Sequence, residues 1–242
     1  MRVALISDLH GNAIALDAVL DDIARVGVDR TVCLGDTATL GVSPLEVLDT
    51  LERLDIPCIE GNHDAFLLDR ELVRTYTQVA PVVAAIEWCR DALPTRAIDF
   101  VRAFTASLDV DLGGGAVLSL FHGTPRSHME NLLATTSPDA LDDMLGPLRA
   151  TVMAGGHTHV QMLRQHRGVL IVNPGSVGAP FESFVESGMP KLMPYAEYAT
   201  VEAERGGIQV TLRRVAVDAS AMRKAAQASD NPLAPMIASQ YA

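Results

Sequence analysis

The chain has 242 residues, 48% of them hydrophobic, and a formal charge of −11, which supplies one sizeable core but no basic stripe for broad binding to nucleic acid or an anionic membrane. There is no apolar run of the roughly 18 residues that a membrane helix needs, and the opening residues turn acidic too soon for a signal peptide. The three cysteines, Cys33, Cys58 and Cys89, are too scattered for a disulfide framework or a C-x-x-C metal site, so one cytoplasmic domain over residues 1–242 is expected.

Val3-Ala4-Leu5-Ile6 predicts a buried strand that delivers Ser7-Asp8-Leu9-His10. Two residues apart on an extended segment, Asp8 and His10 would share a face and offer one ion a carboxylate and an imidazole. Asn12 then caps a helix with Leu16, Val19, Leu20 and Ile23 at helical spacing and Gly27 at its end. A second strand, Thr31 to Leu34, ends in Gly35-Asp36, and Ser43-Pro44-Leu45-Glu46 predicts a capping box with proline at the first helical position. A third, Pro57 to Glu60, leads into Gly61-Asn62-His63-Asp64. This completes a β-α-β-α-β series that calls for parallel strands, with ligand-type residues on one edge.

Residues 65 to 107 read as a helical roof, with one helix near 80–92 carrying Trp88 and another after Leu93-Pro94-Thr95. Leu108, Val110 and Leu112 alternate before three glycines, and Ala116 to Phe121 complete a hairpin that ends at His122-Gly123. Ser137-Pro138 starts a short helix, and Thr151 to Ala154 is a strand leading to Gly155-Gly156-His157-Thr158-His159. The later strands, through Met162, Val169 to Val172 and Thr200 to Val217, read as an antiparallel meander, followed by a helix and tail over about 218–242. The expected fold is α/β, with two sheets face to face and helices outside.

Each polar cluster has an ordinary reading as a turn, a cap or a satisfied core histidine. Their order says more. D-x-H, G-D, G-N-H-D, H-G and G-H-T-H each follow an apolar run, and through these motifs residues 1 to about 217 resemble the calcineurin-like metallophosphoesterases. Ile86-Glu87-Trp88, His122-Gly123-Thr124-Pro125 and Asn173 to Gly178 are similar to a bacterial small-phosphoesterase branch.

The resemblance implies a four-layer α-β-β-α sandwich of two mixed β-sheets flanked by helices. It also implies two divalent metal ions, one on Asp8, His10 and His159, the other on Asn62, His122 and His157, with Asp36 bridging. Mn²⁺ is the first expectation, and Fe, Zn, Ni or Mg are the others. The implied activity is hydrolysis of a small phosphate ester, foremost a phosphodiester or nucleotide-type substrate. A metal-bridging hydroxide would attack in line, His63 would donate the proton, and Asp64 would orient its ring. Asn62 and Arg126 are candidate substrate contacts, while His128 and His166 read as surface residues. The alternatives are a non-catalytic metal-binding scaffold of the same fold, or a nuclease. The sequence signals no oligomeric state. Thr37 to Pro44 lacks the Asp-Arg-Gly of protein serine/threonine phosphatases and the tyrosine of the branch's Gly-Tyr-Gly-Pro, which puts protein phosphatase activity in doubt and alters a pocket wall.

Overall fold

The computed structural model describes residues 1–147, 149–185, 190–204 and 206–241. The first unit is β1 (Arg2–Ile6), α1 (Ala13–Val26), β2 (Arg30–Cys33) and α2 (Pro44–Arg53). The Asn12 side chain accepts from the Ala15 N–H at 3.0 Å, and the Gly27 N–H returns to the Ile23 carbonyl, so α1 starts and stops where the sequence predicts. The capping box of α2 does not form. The Ser43 N–H is tied to the Gly11 carbonyl, and its side chain makes no cap hydrogen bond, leaving Pro44 to start the helix. The expected third strand shrinks to isolated bridges, Cys33 with Cys58 and Ile59 with Thr105. Pro57 has no N–H to give a ladder, and the chain turns into a helix at Asn62.

The helices expected over residues 65 to 107 are four, the first beginning three residues earlier: α3 (Asn62–Leu68), α4 (Arg70–Tyr76), α5 (Ala80–Ala92) and α6 (Thr95–Arg102). Then come β3 (Leu108–Gly113), β4 (Ala116–Leu120), α7 (Pro138–Leu145), β5 (Val152–Ala154), β6 (Met162–His166) and β7 (Val169–Asn173). The described chain closes with β8 (Tyr195–Glu204), β9 (Gly207–Ala216), α8 (Ala219–Gln227) and α9 (Ala234–Gln240). None of its helices is long and apolar enough to cross a membrane.

The strands form two mixed sheets, ordered β2-β1-β8-β9 and β3-β4-β5-β7-β6. Pairs β1/β2, β4/β5 and β5/β7 are parallel, and the others are antiparallel. The single meander read from the sequence is therefore divided. β6 and β7 close the five-stranded sheet, whereas β8 crosses to pair with β1, Ala199 opposite Leu5. The cause is visible in β8, which is buried at six consecutive positions from Ala196 to Val201, as a strand covered on both faces must be.

Alternation sorts the side chains into layers. Val3 and Leu5 point between the sheets with Val32, Leu118, Val152 and Val201, while Ala4 and Ile6 pack under Leu16, Val19 and Ile23 of α1. On the far side, Met153 and Ile171 meet Leu141 and Leu145 of α7. The order is helices, sheet, sheet, helix. Leu5 is fully buried in the inter-sheet layer, so Leu5→Ala would cost about 2–5 kcal/mol.

Candidate metal centre

The carboxyl ends of β1, β2, β4 and β5 open on one edge, and backbone hydrogen bonds sew their loops together. Asp8 N–H donates to Gly35 O at 2.9 Å, His10 N–H to Asp36 O at 3.0 Å, and Gly156 N–H to His122 O at 2.7 Å. Asp8, His10, Asp36, His157 and His159 all adopt left-handed backbone, with φ of 54°, 45°, 56°, 66° and 57°. Asp8 and His10 thus converge through two turns of the backbone, not by sharing the face of an extended strand. Such conformations cost of order 1–3 kcal/mol each in a non-glycine residue and persist where the surrounding structure imposes them. Glycines make room for this crowding. A Cβ on Gly61 would stand 2.1 Å from Asp36 Oδ1, and one on Gly156 would stand 1.9 Å from Ser7 Oγ.

Two buried ligand groups result, Asp8 with His10 and His159, and Asp36 with His122 and His157. Within each, the ligand atoms lie within 4.8 Å of one another. Asp36 Oδ1 lies 3.4 Å from His122 Nε2 in its own group, while Oδ2 points at His10 Nε2 in the other, 3.9 Å away. The side chain of Asn62 reaches the second group, its Oδ1 3.1 Å from His122 Nε2.

The donor set fits cations. His159 Nδ1 faces the Ala179 carbonyl at 2.7 Å and His122 Nδ1 faces the Leu34 carbonyl at 2.7 Å, so in the neutral rings each Nδ1 carries the proton and each Nε2 offers a lone pair. Those lone pairs then face further acceptors, Asp8 Oδ1 at 3.2 Å in one group and Asn62 and Asp36 oxygens in the other. Asp8 Oδ1 and His10 Nδ1 have no hydrogen-bond partner. Acceptors converging in a buried space call for positive charge between them. Burial, helped by neighbouring imidazoles, pushes His10 down to about 3 and His157 down to about 4, keeping both neutral and able to ligate. At His122 burial opposes protonation, but the Asp36 carboxylate prevails and raises it to about 10, a measure of how strongly this pocket favours positive charge.

His63 is buried beside these groups but belongs to neither. Its Nδ1 lies 2.7 Å from Thr39 Oγ1, and its ring meets the edge of His10 at 4.9 Å between centroids. The partner expected from the sequence, Asp64, points elsewhere. Its carboxylate accepts from the N–H groups of Asp36, Thr37 and Gly61 and from Thr37 Oγ1, at 2.7, 3.0, 2.9 and 2.7 Å. Asp64 sits at the third position of α3, so its side chain turns back over the helix start and fastens the Asp36 loop there. Thr39 was missed because only the folded loop, and no motif, aims it at His63.

Arg126 is not brought to the site. Its half-exposed guanidinium is occupied by Glu130, with contacts of 2.6 to 3.0 Å, and by Asp143 at 3.1 Å, and it does not line the cavity above the metal groups. His166 is buried and 2.8 Å from Asp142 Oδ1, so the surface reading is corrected: the end of β6 packs under α7. His128 is one-third exposed near Glu60.

Residues 1–190 match the calcineurin-like phosphoesterase superfamily domain. Over 193 residues the chain is 28% identical to the uncharacterized protein MJ0912 of Methanocaldococcus jannaschii, covering 74% of this chain and 76% of that protein. Its fold is similar to that of a metallophosphoesterase from Sphaerobacter thermophilus, with a TM-score of 0.75 and 23% identity over 99% of this chain and 100% of the other. It is also similar to the hypothetical protein PH1004 from Pyrococcus horikoshii OT3, with a TM-score of 0.82 and 17% identity over 98% and 96% of the two chains.

Proposed function

Because this chain belongs to the calcineurin-like phosphoesterase superfamily, we propose that it is a metal-dependent hydrolase of a small phosphate ester, a phosphodiester before a monoester. One observation carries the reading. Two groups of converging acceptors adjoin at Asp36, and an imidazole outside both, His63, lines the same cavity.

Asp8, His10 and His159 would hold one divalent cation, Asn62, His122 and His157 the other, and Asp36 both, with Mn²⁺ the first candidate ahead of Fe, Zn, Ni and Mg. Such a pair supplies charge that neutralises the phosphoryl oxygens and acidifies a water. The remaining work belongs to the chain. Held at Nδ1 by Thr39, His63 would turn Nε2 to the cavity and, as the imidazolium, pass its Nε2 proton to the leaving oxygen, the attacking water restoring that proton. Asp64 fixes the Asp36 loop, and burial of the ligands excludes bulk water. In the overall step a P–O ester bond breaks, the oxygen of one water ends on phosphorus, and the released alcohol carries the proton.

Metal analysis paired with hydrolysis of 4-nitrophenyl mono- and diesters tests this. Two ions per chain and turnover that falls in His63→Ala are expected. Two bound ions without turnover on any ester would instead support the scaffold.

A further inference from the structure

The cavity above the metal groups has a volume of about 540 Å³, within the roughly 300–1,000 Å³ range of small-molecule sites. Its floor includes His10, Asp36, His157 and His159, and its walls are mostly apolar, with Asn12, Ser43, Asn131 and Gln240 the uncharged polar exceptions beside Thr77 and Tyr241. Tyr76 and Val79 come from the α4–α5 junction, Phe181 and Leu192 from the segment before β8, and Met222 and Met236 from α8 and α9. The apolar wall begins directly on the reacting groups: the Phe181 ring stacks on His159 at 4.2 Å, and Tyr76 stands edge-on to His63 at 6.0 Å. The segment where the tyrosine of the family branch is missing contributes Leu40 and Val42 to the same wall.

Two further observations point the same way. Three of the six exposed large hydrophobic side chains among the described residues, Tyr76, Val79 and Val185, line this one chamber. An apolar rim of that kind marks a binding site. Among the described lining residues there is also no lysine, arginine or glutamate, and Asp36 is the sole carboxylate. Lys191, near the rim, is held by Glu182 at 2.7 Å. Among the described lining residues a nucleotide's further phosphates would find no lysine or arginine, whereas hydrocarbon would find a largely apolar surface with methionines able to adapt to it.

Resting on the phosphoesterase reading, we propose that the ester carries a long alkyl arm that fills this chamber while its phosphate lies on the two ligand groups. The test compares metal-loaded protein on methyl octyl phosphate, methyl ethyl phosphate and the methyl ester of adenosine monophosphate, with products followed by mass spectrometry. Because each buried methylene favours binding, kcat/KM for the octyl ester should exceed that for the ethyl ester by about tenfold or more. The adenosine ester should do no better than the ethyl one. Val79→Asp, at an exposed helix N-cap that accepts aspartate, should move the octyl-to-ethyl ratio toward one. Calorimetry with octylphosphonate and ethylphosphonate reads the chamber without turnover, and the octyl compound should bind about tenfold or more tightly.

Equal kcat/KM for the octyl and ethyl esters, preference for the adenosine ester, or a ratio unmoved by Val79→Asp would overturn the inference and leave the phosphoesterase reading standing. If no ester turns over, that reading fails, and the phosphonate pair alone decides the chamber. Equal binding of the two phosphonates would then overturn the inference.

Discussion

The Nε2 atoms of His10 and His159 lie 3.0 Å apart, although 149 positions separate the residues in sequence. His159 Nδ1 is held by the Ala179 carbonyl, so its Nε2 is the atom turned toward His10, with Asp8 Oδ1 3.2 Å away. Together with Asp8 these two rings could hold one metal ion. Saturating metal at about 100 times Kd should stabilise the wild type by about 2.7 kcal/mol for each independent site. In a chain of this size that raises Tm by roughly 5–10 °C. In His10→Ala the rise should be about half the wild-type one, and the chelated variant should melt no lower than the chelated wild type. Equal metal-induced rises in the two proteins, read by calorimetry with and without chelator, would remove His10 from the site.

Asp36 presents one oxygen to each ligand group, at 3.4 and 3.9 Å from His122 and His10. Asp36→Asn should therefore weaken both sites. Even partners one shell out from a metal are worth about 10–100-fold in affinity, so a loss of about tenfold or more at each site is expected in a metal titration. Full two-ion occupancy at wild-type affinity would show that Asp36 does not bridge.

His63 and Asp64 are adjacent in sequence and should behave differently. His63→Ala should keep both ions and lose about 10²–10⁴-fold in kcat, the range of a positioned acid. Thr39→Val removes one hydrogen bond from the ring, about 0.5–1.5 kcal/mol, so its kcat should fall by about two- to tenfold. Asp64→Asn sets an amide against three backbone donors and should instead lower stability by about 1–3 kcal/mol in urea unfolding, with metal lost from the Asp36 group. Normal stability together with a His63-like loss of turnover would return Asp64 to the role of orienting His63.

Asp22 gives a pH dependence remote from the metal ligands. Burial works against its carboxylate, but Arg213, Tyr198 and Arg25 hold its pKa below the ordinary value. The folded pKa is thus lower than the unfolded one, near about 3.9, so its contribution is complete above that pH and lost as pH falls through the folded value. Wild type should be more stable than Asp22→Asn at pH 7, and the gap should close on acidification. A gap that widened toward low pH would show the wrong sign.

The sequence carried the strand-end motifs because each follows an apolar run that can only be buried, and the structure gathers Asp8, His10, Asp36, Asn62, His122, His157 and His159 on one edge. What it did not carry is set by backbone angles and distant packing. The left-handed turns at Asp8 and His10 replace an expected strand face, and Thr39 reaches His63 only through the folded loop. Asp64 follows a helix start that the sequence marked as a strand end, so its carboxylate turned out to serve Asp36 and Thr37. β8 could not be placed in the first sheet because its burial depends on α1 over one face and the second sheet over the other, both distant in the chain. The apolar chamber was invisible for the same reason, being assembled from the α4–α5 junction, the segment before β8 and the last two helices.

The most direct test of the two-metal account is a Mn²⁺ titration of chelator-stripped protein, following hydrolysis of bis(4-nitrophenyl) phosphate against equivalents added. Activity should rise from baseline and level off once two equivalents per chain are bound. Metal-independent hydrolysis, or two equivalents bound with no hydrolysis, would contradict it.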